Sequence, residues 1–145
     1  MKPIDTQRVK TVVSYFIVAY LLNFFWETWH AVYLYETHAI FSIKSYIGMI
    51  GYVSFVDAVL LLGIFVVGAM IWKNFSWYKV MSKRKWAYVV LSALTIAIAI
   101  EIKGVYVLNQ WSYNEAMFTV FGIGISPLLQ LAVTGLLSIW LIKKS

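Results

Sequence analysis

The sequence predicts an all-α integral membrane protein, a four-transmembrane-helix bundle with both termini cytoplasmic and the fourth helix broken or kinked at Pro127. Three observations carry that expectation. The 145 residues are 62% hydrophobic and 12% charged, with a mean hydropathy of +0.80, whereas soluble domains have about 25% charged residues. Four apolar stretches, about 11–34, 48–72, 87–108 and 118–142, each match the ~20 residues that cross a bilayer. Basic residues flank these stretches in alternation. Lys2, Arg8 and Lys10 precede the first, Lys73, Lys79, Lys83, Arg84 and Lys85 fill the second connection, and Lys143 and Lys144 follow the fourth. The first connection has only Lys44 and the third has no basic residue. By the positive-inside rule the termini and second connection face the cytoplasm.

The length fits a single domain spanning 1–145. The first stretch, 11–34, is too long for the 7–15-residue apolar core of a signal peptide and has no small-residue cleavage site, so it reads as a retained helix. Aromatic residues mark the boundaries: Trp72, Trp77, Trp86 and Trp140 on the inner side, and Tyr33, Tyr35, Trp111 and Tyr113 on the outer. The second connection, 73–86, reads as a topology-setting cytoplasmic loop. In the fourth stretch two glycines precede Ser126-Pro127. Ser126 suits a cap and Pro127 a first helical position, so the helix is expected to start there, after an apolar connection over 117–125.

The charge of +6 does not point to nucleic acid, because the bases border apolar runs and no soluble basic module exists. Without cysteine there is no disulfide, thiol nucleophile or thiolate-held metal.

Polar residues inside the spans are the informative ones. Asn23, Glu27 and His30 follow one another at i, i+4 and i+7, on one helical face. Glu27 lies seven residues before the outer end of helix 1, Asp57 nine residues after the start of helix 2, and Glu101 seven residues before the end of helix 3. At a rise of about 1.5 Å per residue all three sit roughly 10–14 Å below the outer boundary. Gln130, on a helix-4 stripe with Ser126, Thr134 and Ser138, reaches the same layer. Three carboxylates at one depth cannot all be ionised in low dielectric, so at least one is expected to hold a proton. Ala97 and Gly104 beside Glu101 are expected to let a neighbouring helix approach, and Lys103 to reach the outer headgroups.

Glu27, Asp57, Glu101 and His30 are therefore the candidate catalytic residues of an acid–base site for an isoprenoid-like or other lipid substrate. Asn23, Trp26, Trp29, Tyr106, Gln130 and Ser126 are the candidate binding residues, with Phe24 and Phe25 as further aromatic wall. In architecture alone this resembles membrane terpene and carotenoid cyclases, small helical proteins with intramembrane acids. Two alternatives use the same residues: a proton-coupled transporter or channel component, and a structural membrane protein with a buried polar network. No cofactor is expected. The Glu27-x-x-His30 spacing raises a single Zn or Fe held by Glu27, His30, Asp57 and Glu101. His38, in the outer connection, leaves no second intramembrane histidine for haem. The expected partners are membrane lipid, a lipid-soluble small molecule and a second copy in a homodimer, but not nucleic acid. On this topology, cysteines placed in 41–45 or 112–114 should react with an impermeant thiol reagent from outside the cell; reaction only from the cytoplasm would invert the orientation.

Overall fold

The structure, a computed structural model, describes residues 5–36 and 42–144; Lys2 and His38 lie outside them. Its four main helices are α1 (Thr6–Tyr33), α2 (Ile43–Ile71), α3 (Lys83–Glu101) and α4 (Ile125–Lys144). With the wider turns that continue α3 to Val107, each is long and apolar enough to cross a membrane. α1 and α2 begin several residues before the apolar stretches do, because polar caps lie outside them. The Asp5 carboxylate accepts from Gln7 N and Arg8 N, and Ser42 Oγ accepts from Ser45 N, each satisfying amides at a helix start.

The fourth apolar stretch is not helical throughout. β1 (Thr119–Val120) pairs antiparallel with β2 (Ile123–Gly124) around Phe121 and Gly122, both with positive φ. This is the backbone of a two-residue type I′ hairpin turn. α4 then starts at Ile125, one residue before the expected Ser126, so the expected 118–142 span is corrected to Ile125–Lys144. Pro127 falls in the first turn, where its missing N–H leaves no helical bond unmade.

α1 packs along α2 and α4, and α3 along α4. Small residues permit these approaches. Ala93 and Ala97 of α3 are buried, and Gly135 of α4 lies under Leu61 of α2. Tyr15 stacks on Phe65 at 4.6 Å and Leu61 is fully buried, forming an apolar core towards the end of the bundle that carries the termini. α2 and α3 touch little along their length. They meet at the terminal end, where Tyr88 Oη donates to Ile64 O and the Tyr88 ring sits edge-on to Trp72.

The second connection, expected as a topology-setting loop, also packs into the bundle. Trp77, in a 3-10 turn (Trp77–Lys79), is 1% exposed and Tyr78 is also buried. Trp77 Nε1 donates to Phe65 O, and Lys85 Nζ donates to Trp77 O and Val80 O. The indole lies on Gly68, where a Cβ would come within 2.6 Å of Trp77 Cζ2. Gly68→Ala should therefore lower stability in detergent by about 1–3 kcal/mol, as overpacking does. Gly63→Ala, on the same helix with open space around it, should leave the melting temperature unchanged or higher; equal melting of the two variants would sink this account.

Candidate functional site

At the other end of the bundle a cavity of about 400 Å³ is lined from all four helices. Glu27 and His30 come from α1, Asp57 from α2, Glu101 from α3 and Gln130 from α4. Apolar side chains including Met49, Val53, Ile100 and Leu131 complete it. None of the three acids faces outward: Asp57 is 8% and Glu101 4% exposed, and the Glu27 side chain 13%.

Gln130 is the centre of the polar contacts. Its Nε2 stands 2.7 Å from Glu27 Oε1, 2.9 Å from Asp57 Oδ2 and 3.1 Å from Asn23 Oδ1. An amide nitrogen has two hydrogens, so three oxygens compete for them. The two shorter contacts take the two amide hydrogens, so Gln130 bridges Glu27 and Asp57. Thr134 Oγ1 lies 3.2 Å from Asn23 Oδ1 but 2.8 Å from Gln130 O, so its single hydrogen favours the backbone carbonyl of its own helix. Asn23 Nδ2 donates to Ala19 O of its own helix. His30 is 1% exposed, with Nδ1 4.0 Å from Glu27 Oε2 and its ring 4.7 Å from that of Tyr35.

Glu101 is held separately. Trp111 Nε1 donates to its Oε2 at 3.2 Å, and the Tyr113 hydroxyl donates to the same oxygen. Both donors belong to the connection after α3, which folds back over the cavity. Two features allow the return. From Ile102 the helix widens to π turns, with Leu108 N bonded to Lys103 O. The Trp111 ring then occupies the space a side chain on Gly104 would need. Gly104 thus admits an indole from its own connection, not a neighbouring helix as expected. Burial, reinforced by Glu101, holds the Tyr113 phenol above its usual range, and burial does the same for Tyr35. Both phenols therefore remain donors at neutral pH. The backbone secures the fold-back, with Glu36 N bonded to Ser112 O and Asn114 N to Leu34 O.

The binding residues expected from sequence divide. Asn23 and Gln130 join the network. Trp29 is 52% and Tyr106 55% exposed, and neither lines the cavity; Phe25 also points outward. Trp29 lies about 200° around α1 from Glu27 at 100° per residue, which takes it off the acidic face. The Tyr106 hydroxyl is engaged by Gly122 O. Trp26 and Ser126 are partly buried outside the cavity lining, and Trp26 Nε1 and Ser126 Oγ have no hydrogen-bond partner among the described residues. Ser54 bonds Ile50 O and Ser138 bonds Thr134 O, so both are satisfied within their own helices. Tyr35, Trp111 and Tyr113, expected only as interfacial anchors, belong to the site. Among the described residues no group of three His, Asp or Glu side chains is arranged to hold a metal ion.

Comparison with protein-family models, curated proteins and solved structures finds no match.

Gln130→Leu keeps the side-chain bulk but removes the donor to Glu27 and Asp57. It should destabilise the protein by about 1–3 kcal/mol for each buried group left unsatisfied. Thr134→Val, which removes a hydroxyl bonded to Gln130 O of its own helix and close to Asn23 Oδ1, should cost about 1 kcal/mol. Thermal melting in detergent checks the order, and a Gln130→Leu protein as stable as the parent would contradict the bridging role.

Proposed function

We propose that the chain is an integral membrane protein, with its termini in the cytoplasm, that carries out acid–base chemistry on a lipid-soluble substrate in the outer half of the bilayer. The observation that carries this reading is the lining of one cavity by three acids, two buried and Glu27 largely so, and an otherwise largely apolar wall. Its volume of about 400 Å³ is within the range of ligand pockets. α2 and α3 both line it, yet they meet only sparingly, so an apolar molecule has a route in from the membrane between them.

Two acids bridged by one neutral amide are suited to proton exchange. Like charges so close in low dielectric repel, and a single proton shared by Glu27 and Asp57 relieves the repulsion. The protonated member donates to a carbon–carbon double bond or an oxygen of the substrate. The ionised member takes a proton from the adjacent position, which restores the pair. His30 lies beside Glu27 to accept or return the proton. Glu101, fixed by Trp111 and Tyr113, supplies a negative charge across the cavity from developing positive charge on the substrate. Isomerisation of an unsaturated lipid requires these steps, cyclisation places ring closure between them, and in hydration the ionised member takes its proton from the water that adds.

The apolar core of Tyr15, Leu61, Phe65 and Trp77 towards the terminal end supports chemistry within one leaflet over passage of protons across the membrane.

The test is deuterium transfer. The purified protein, incubated in heavy water with an extract of unsaturated isoprenoid lipids, should place deuterium on carbon in one lipid species. Glu27→Gln and Asp57→Gln, folded by melting and size-exclusion profile, should slow this by roughly 10²–10⁴-fold, the usual contribution of general acid–base catalysis. Absence of deuterated lipid with the parent protein, or equal labelling by the variants, would defeat the reading. Proton uptake by proteoliposomes under a pH gradient would favour transport instead.

A further inference from the structure

The terminal end of the bundle holds a second cavity, about 560 Å³, remote from the acids. Lys10 of α1, Lys79 of the 3-10 turn, and Lys143 and Lys144 of α4 all line it, and neither Asp nor Glu does. Thr11, 9% exposed, and Ser14 add hydroxyls to its wall. Three separate segments of the chain thus bring four lysines to the wall of one hollow. The nearby carboxylate of Asp5 is committed elsewhere. It caps α1 and pairs with Arg8 at 2.9 Å.

No carboxylate lines the hollow among the described residues; lysines gathered in this way repel one another, and folding brings them together because Trp77 and Tyr78 anchor the turn that carries Lys79. An anion with several oxygens relieves the repulsion. Phosphate has the required charge and oxygens, and lysine binds it as a point charge without demanding planar geometry. The hollow lies where the helices end. There Lys144 Nζ sits 3.5 Å over the half-exposed Trp140 ring, an aromatic–cation pair suited to headgroup level.

The geometry points to a binding site for a phosphate-bearing anion at this end of the bundle, the phosphate coming either from a lipid headgroup or from a free phosphorylated molecule. The site is independent of the chemistry in the acidic cavity.

Native mass spectrometry of the full chain, released from mixed micelles, tests it with phosphatidylglycerol and phosphatidylcholine of matched acyl chains. The parent protein should retain phosphatidylglycerol in preference by about tenfold, given the attraction of each basic residue for anionic lipid. K10Q/K79Q/K143Q should lose the preference, and Lys79→Gln alone should lose part of it. K83Q/R84Q, which removes charge from the same end outside the hollow, should keep it. Inorganic pyrophosphate separates the sources: displacement of the lipid together with a raised melting temperature identifies a free phosphate, and retention of the lipid identifies a headgroup. Equal losses in K10Q/K79Q/K143Q and K83Q/R84Q would overturn the site. So would a parent protein with neither lipid preference nor a pyrophosphate-induced shift.

Discussion

Gln130 donates from one nitrogen to carboxylates on two other helices, and this sets the register of α1, α2 and α4. In apolar surroundings an unpaired polar group costs several kcal/mol, and water is not at hand to replace a lost partner. A one-residue rotation of α1 would carry Glu27 away from Gln130 and strand both groups. The small residues at the helix contacts allow many close packings, whereas the amide selects one. Thr134 extends the selection by meeting Asn23 a turn deeper, so α1 and α4 are joined at two levels.

α3 enters the site by other means. Its acid is satisfied by Trp111 and Tyr113, which belong to its own following connection. The acid and its donors therefore form a local unit tied to the rest by the backbone bonds of 112–114 with 34–36. Such a division leaves α2 and α3 free of a mutual polar bond at the depth of the cavity. Apart at this level, the two helices are held together by Tyr88 at the other end.

Rigid helices explain what was legible in the sequence. Rise per residue and a hundred degrees of turn are enough to place Glu27, Asp57 and Gln130, because each lies within an uninterrupted helix whose depth can be counted from a boundary. The same arithmetic excludes Trp29, since two residues of separation from Glu27 take it off that face. Tyr35, Trp111 and Tyr113 lie in connections, where the path depends on the widened turns after Glu101 and on a tryptophan seated on Gly104. Neither feature has a periodic signature. An aromatic residue just outside a span reads as an interfacial anchor until its partner is known, and for Trp77 the partner is Phe65 O, twelve positions earlier in the chain.

The buried tyrosine–tryptophan core has a consequence for the acids as well as for stability. A carboxylate pair open to water on both sides would be solvated and screened, and its interaction with a substrate would weaken towards the bulk value. Tyr15, Phe65 and Trp77 occupy the space between the acidic cavity and the basic end, so water has no short path from that side. Trp111 and Tyr113 fold over the opposite side. Between α2 and α3 the cavity wall is apolar, formed by Met49, Val53 and Ile100. The same covering that makes the acids costly to bury makes their charge effective on whatever enters, because little solvent stands between them.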